Sequence, residues 1–229
     1  MDQQKGHQIA FVQFPQNFVG VTNNDLYGSS LRIISDLELH GIDGHGGPLY
    51  IGTGCFHRRE ALCGRKLNDD KHKSSEITEE TILEDNLHQL QQKSKPLADC
   101  TYDQINTLWG KQMGLLYGCA VEDVITGLCI QCRGWKSVYY NPERKAFLGF
   151  APTTLPQTLI QHKRWSQGGF QVLLSKYSPA FYAYGKIGLG HQMGYCYYNL
   201  WALNCFATLY YSLIPSLYLL KGISLFPQV

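Results

Sequence analysis

Between Ile187 and Leu220 the chain has no Asp, Glu, Lys or Arg. A run of that kind has few destinations. It folds as a buried core helix or it enters a bilayer, which takes about 20 mostly apolar residues. The part from Met193 to Leu220, rich in Tyr, Leu, Ile, Phe, Ala and Trp, is long enough to cross. Asn199, Asn204 and Pro215 interrupt it, which predicts a kinked or protein-packed helix. Tyr195, Tyr197, Tyr198 and Trp201 crowd its start, as an interfacial aromatic belt would. Lys163, Arg164, Lys176 and Lys186 precede it and only Lys221 follows, so the positive-inside bias puts the preceding domain in the cytosol.

The rest of the chain reads as a folded domain. It has 229 residues, 44% hydrophobic and 17% charged, which excludes a disordered chain. Mean hydropathy of −0.21 excludes a polytopic membrane protein but not a single span. A net charge of +2 lacks the basic excess of a nucleic-acid binder, so no nucleic-acid partner is expected. The first eight residues have no apolar signal core, and the eight cysteines are too sparse for a disulfide scaffold. Reduced thiols facing the cytosol are expected.

The pattern before the charge-free run is mixed α/β. Ile9–Phe14 is a β-type run stopped by Pro15, with no earlier element to pair against. Gly41–Gly54 is glycine-rich, and Pro48–Ile51 within it reads as a second strand followed by a tight turn. Residues 64–100 are polar and read as a solvated insertion. It holds a surface loop at Asp69–Ser75 and a short helix with Leu83, Leu87 and Leu90 on one face. Glu122-Asp123 opens a helix whose apolar face is Val124, Ile125, Leu128 and Cys132, and Gly134 stops it. Trp135–Tyr140 follows as a strand ended by Pro142. Another helix begins near Pro156, and Phe170, Leu173, Leu174 and Tyr177 recur at helical spacing after it. These basic, amphipathic pieces suit helices lying along a membrane surface.

Few motifs carry chemistry alone. Cys129-Ile-Gln-Cys132 has the spacing of half a zinc site or of a redox pair, but it has no second half, and on a helix the two thiols can simply pack. Gly44-His-Gly-Gly47 is no phosphate loop, since no Gly-Lys-Ser/Thr follows. Gln161, Arg164 and Trp165 fall at i, i+3 and i+4, so one helix face offers an amide, a guanidinium and an indole. Arginine grips phosphate bidentately and tryptophan gives a sugar ring a flat apolar platform. Such a face is otherwise a structural pair, and acids such as Glu122 and Asp123 are ordinary at helix starts.

Their order changes the weighting. Gly52-Thr53-Gly54, then Val121-Glu122-Asp123, then Gln161-His-Lys-Arg164-Trp165, then a charge-free run, resembles the processive family 2 glycosyltransferases. Ile9–Gln16, Gly41–Arg59 and Gly134–Ala146 are similar to plant cellulose synthase-like proteins, most of all family E. The resemblance covers essentially the whole chain. It implies an α/β fold, part of a glycosyltransferase A-type (Rossmann-like) domain, followed by interfacial helices and a transmembrane helix. Residues 1–150 would be the C-terminal portion of the cytosolic domain, with 64–100 the variable insertion. Residues 151–187 would be the interfacial helices and 188–229 the transmembrane segment.

The resemblance also implies an activity: inverting transfer of a sugar, glucose by preference, from a UDP-sugar donor to a growing β-glycan acceptor in cell-wall synthesis. Asp123 would be the catalytic base. Glu122, the acceptor loop Gly52, Thr53 and Gly54, and Gln161, Arg164 and Trp165 would bind substrate, with Arg164 on the diphosphate and Trp165 on the acceptor sugar. Ile51 stands where bacterial relatives have a cysteine, so no thiol role carries over. The family's uridine-binding aspartate and its Asp-x-Asp motif, which holds a divalent cation (Mg or Mn), are not in this sequence. The chain is therefore expected to be a fragment, inactive alone and without the cation's ligands. Membrane lipid is an implied partner, a homo-oligomer is compatible with the resemblance, and Golgi is preferred over plasma membrane. A non-catalytic, membrane-held partner of an intact synthase is the alternative.

Overall fold

The computed structural model describes residues 6–21, 24–28, 31–67 and 119–225. The expected loop at Asp69–Ser75 and the helix bearing Leu83, Leu87 and Leu90 lie outside the described residues.

The fold is mixed α/β. Strand β1 (Ile9–Gln13) is the middle of a three-stranded sheet. It pairs antiparallel with β3 (Cys55–His57), with Val12 opposite Phe56, and parallel with β4 (Lys136–Tyr139), with Val12 opposite Val138. The opening strand, expected to lack an earlier partner, thus takes both of its partners from later in the chain. A second, two-stranded parallel sheet joins β2 (Asn17–Val19) to β5 (Leu148–Phe150).

A π-helical turn, Ile34–Glu38, runs into helix α1 (Leu39–Asp43). Asp43 accepts the Tyr139 backbone N–H at 2.8 Å, and the Tyr139 hydroxyl donates to the Ser35 carbonyl at 2.9 Å, so α1 is tied to β4. Helix α2 (Arg59–Leu62) is a single turn after β3.

Helix α3 (Glu122–Cys132) is the centre of the molecule. The sequence predicts one apolar face, but the structure buries every residue from Val124 to Gln131. Two apolar layers meet on this helix. Ile130 joins Ala10, Phe11, Ala61 and Trp135 on the sheet side. Val124, Ile125, Leu128 and Cys129 pack on Leu39, Ile42, Leu49, Val172 and Tyr195 on the other. Burying one such aliphatic side chain contributes about 1.5–3 kcal/mol. The helix ends as expected, with Arg133 as its last cap and Gly134 at φ +93°, a conformation glycine adopts without a Cβ clash.

The strand expected at Pro48–Ile51 does not form. Leu49 is fully buried there as a plug in the core, and the strand after it lies at Cys55–His57 instead. The Pro48 carbonyl and both backbone groups of Ile51 bond to side chains and not to a neighbouring strand.

Helix α4 (Leu155–Leu174) opens with Pro156 in its first turn, as predicted. Helix α5 (Pro179–Tyr182) is one turn. The charge-free run becomes two helices, α6 (Leu189–Leu200) and α7 (Asn204–Leu220), separated by a 3-10 turn at Trp201–Leu203. The kinked or protein-packed helix expected over Met193–Leu220 is a broken pair: no single described helix is long and apolar enough to cross a bilayer. The α6–α7 pair, bent by 40°, passes that test only together. Pro215 lies inside α7 and does not end it. The two helices differ in kind. Helix α6 buries His191, Gln192, Tyr195 and Asn199, a polar stripe against the domain, whereas α7 buries no residue. Gln192 holds α6 to α5 by donating to the carbonyls of Pro179 (3.0 Å) and Ala180 (2.8 Å).

Candidate functional site

Three segments converge at the start of α3: the loop Pro48–Gly54, the first turn of α3 and the middle of α4. The loop's shape is set by two glutamines flanking Pro15. Gln13, at 0% exposure, donates from Nε2 to the carbonyls of Phe14 (3.0 Å), Thr53 (3.1 Å) and Gly54 (3.3 Å) and accepts the Ile51 N–H at 3.2 Å. Gln16 donates to the Ile51 carbonyl at 3.0 Å, and the Phe14 N–H donates to the Gly54 carbonyl at 2.8 Å. The turn is thus clamped from the C-terminal end of β1. The period-2 pattern of β1 gives no sign of Gln13's role; a fully buried amide beside a glycine loop is visible only in three dimensions.

Gln13→Leu keeps the volume and removes the four bonds that the Gln13 side chain makes. Its expected effect is a loss of about 2–4 kcal/mol of stability, since the half-buried Ile51 N–H and the Thr53 carbonyl lose the Gln13 amide. Urea unfolding checks this, and a loss below about 1 kcal/mol would show that the clamp is dispensable.

Gly52, at φ +89°, lies directly against Asp123: a Cβ built on it would sit 3.0 Å from Asp123 Oδ2. The loop can approach this carboxylate closely only because residue 52 has no side chain. Asp123 Oδ1 accepts the Val124 N–H at 2.9 Å. Burial pushes the Asp123 carboxyl up from 3.8 to about 6. The Val124 N–H opposes that rise, the Glu122 charge adds to it, and the Arg164 charge opposes it. Burial, which the residue types around Asp123 do not reveal, is the largest of these effects.

Arg164 and Trp165 reach this region because α4 packs tightly on the N-terminus of α3. Gly168, one turn beyond them, is where the helices touch: a Cβ on it would lie 2.8 Å from Val121 Cγ1 and 3.0 Å from the Val121 backbone nitrogen. The Cys119 thiol donates to the Gly168 carbonyl at 3.8 Å. Trp165 is half-buried and packs on the core layer that contains Val121 and Val124, with His162 stacked at 5.9 Å on its ring. Arg164 is exposed and Gln161 half-buried. The structure therefore brings Gly52, Asp123, Arg164 and Trp165 into one region. Thr53 and Gly54 enter it through their clamped carbonyls, and Glu122 through its charge on Asp123.

No three His, Cys, Asp or Glu side chains converge to hold a metal ion among the described residues. Burial pushes the Cys132 thiol up to about 12 and raises the Cys129 thiol too, which keeps both protonated and poorly nucleophilic. The donor set among the described residues does not fit a divalent cation.

Comparison with known proteins decides the family. The cellulose synthase family model matches residues 1–98 and 72–229, which together take in the whole chain. The chain belongs to the cellulose synthase family. It is 51% identical over 229 residues to cellulose synthase-like protein E2 of Oryza sativa subsp. japonica, covering all of this chain and 30% of that protein. It is 33% identical to quillaic acid 3-O-glycosyltransferase CSL1 of Saponaria officinalis, of which it spans 35%. It is 29% identical to cellulose synthase A catalytic subunit 9 [UDP-forming] of Oryza sativa subsp. indica, of which it spans 28%. This cellulose synthase family segment thus spans about a third of the length of the relatives it matches.

Proposed function

We propose that this chain is the acceptor-side, membrane-proximal part of a glycosyltransferase that moves a sugar, glucose by preference, from a UDP-sugar to a growing β-glycan. The observation that carries the reading is Asp123: a half-buried carboxylate at the start of α3, pressed against the glycine loop and within electrostatic reach of Arg164.

An acceptor hydroxyl attacks the anomeric carbon from the face opposite the leaving UDP, so configuration inverts. The hydroxyl is a weak acid, and a carboxylate must take its proton as the new bond forms; inverting glycosidases follow the same logic with water. Asp123 Oδ2, beside Gly52, takes that proton. Its raised value near 6 leaves it ionised at neutral pH and a stronger base than an ordinary aspartate. Arg164 draws charge from the leaving diphosphate. The half-buried Trp165 ring, held by His162, offers a flat surface to the acceptor sugar. The exposed apolar residues of α4 and α7, among them Ile160, Leu174, Tyr211 and Leu219, suit contact with lipid. That supports a membrane-bound enzyme, Golgi by preference, with this domain in the cytosol. The metal and uridine contacts would come from parts of the protein outside this segment.

The test is UDP release by the full-length protein in membranes supplied with UDP-sugars. kcat/KM is expected to rise with pH through about 6 and then level, because Asp123 must be ionised. Glu122→Gln removes a charge that raises Asp123, so the acid limb moves to lower pH. No UDP release with any donor ends the reading, and a limb that Glu122→Gln leaves in place removes Asp123 from the base role.

A further inference from the structure

A chain of buried polar groups crosses the domain from the membrane-side helix to the foot of the glycine loop. Tyr195, on α6, is fully buried, and its hydroxyl donates to Gln131 Oε1. Gln131, near the end of α3 and 2% exposed, donates from Nε2 to the Pro48 carbonyl at 3.1 Å and to Ser137 Oγ at 2.8 Å. Ser137, on β4 and 4% exposed, donates to the same Pro48 carbonyl at 2.8 Å. Pro48 begins the loop that carries Gly52 against Asp123.

The backbone is shaped to bring these groups together. Gly127 has no side chain where α3, the loop and α6 meet: a Cβ there would lie 2.9 Å from Tyr50 Cβ and 3.3 Å from the Tyr195 hydroxyl. Asn199, one turn on from Tyr195 and 1% exposed, donates to the Tyr195 carbonyl at 2.8 Å. Polar groups this deep are costly unless each is satisfied, and here an apolar side chain could have filled the same space. An amide has two distinct ends. Only when a donor fixes Oε1 does Nε2 point at Pro48 and Ser137.

We infer that Tyr195 is a positioning residue: through Gln131 and Ser137 it sets the loop that faces Asp123, and so couples the membrane-side helix to the acceptor side of the site. The inference rests on the glycosyl-transfer reading for its catalytic consequence but not for its structural one. Loss of the hydroxyl frees the Gln131 amide to turn, loosening the loop at Pro48 while α3 and its apolar packing stay in place.

The experiment uses Tyr195→Phe in the full-length membrane protein, with Ser137→Ala as a second variant that cuts the same chain nearer the loop. Hydrogen exchange of residues 48–54 is expected to accelerate about tenfold in both, with exchange in the core of α3 unchanged. With UDP-sugar, kcat is expected to fall about tenfold while donor KM stays within about twofold. Tyr195→Phe with Gln131→Leu is expected to be no worse than Gln131→Leu alone, because both cut one chain. Unchanged loop exchange in Ser137→Ala, or additive effects in the double variant, overturns the inference. If the unmodified protein releases no UDP, the functional reading falls, and loop exchange alone still decides the positioning role.

Discussion

Asp123→Asn is expected to lower kcat for sugar transfer by about 10²–10⁴-fold while donor binding changes by less than about twofold. Asparagine keeps the shape and can still accept the Val124 N–H through Oδ1, so the start of α3 is preserved. What is lost is the oxygen that, on the proposed reading, takes the acceptor's proton. The same substitution is expected to stabilise the fold. Burial raises the Asp123 carboxyl from 3.8 to about 6, so between those values the folded chain binds more proton than the unfolded one. Stability contributed by this group therefore falls as pH rises through that window, and above it the ionised carboxylate costs roughly 3 kcal/mol. Asparagine avoids that cost. The variant should melt higher than the parent at pH 7.5, with the gap closing toward pH 4. Transfer rates and melting curves on the same preparation check both halves. Normal turnover removes Asp123 from the reaction, whereas a lowered melting temperature would make the loss a folding defect.

Gly168→Ala is expected to have the second-largest effect, by geometry and not by chemistry. The added methyl would lie 2.8 and 2.9 Å from the two Val121 methyl carbons and 3.0 Å from a backbone atom that cannot rotate away. Overpacking of this kind costs about 1–3 kcal/mol. Relief requires α4 to move off the start of α3, which carries Arg164 and Trp165 away from Asp123. A displacement near 1 Å in such a constellation can cost about 10²-fold in rate, so transfer is expected to fall far more than stability alone explains. Gly188→Ala is the control: nothing lies within 4 Å of its Cβ position, and its φ of −61° suits alanine. Equal activity in the two alanine variants would show that the α3–α4 contact does not set the site.

How much was legible in advance differs by element. Strand β1, helix α3 with its Gly134 stop, β4 and the start of α4 at Pro156 follow from local patterns, because each is written into a few neighbouring residues. Pro48–Ile51 misled because its apolar residues serve as a core plug held by distant amides, and an apolar run does not say where its backbone bonds go. The charge-free run did not reveal which of its parts is buried, for a related reason. Hydropathy cannot distinguish Tyr195, buried by a polar partner on α3, from Tyr211, 81% exposed on α7. The β2–β5 pairing went unread because it joins three-residue strands about 130 positions apart in sequence, which carry no local signature.

The sequence by itself determined the family and the candidate residues, since Val121-Glu122-Asp123 and Gln161-His-Lys-Arg164-Trp165 in order are chemical types at fixed spacing. Only the tertiary structure decided that Gly52 meets Asp123, that burial lifts that carboxyl, and that Gln13, Gly168 and Tyr195 hold the parts in register. Residue types are local properties of a chain. Desolvation and contact depend on what distant segments are folded against them, and those partners are 38 to 71 residues apart here.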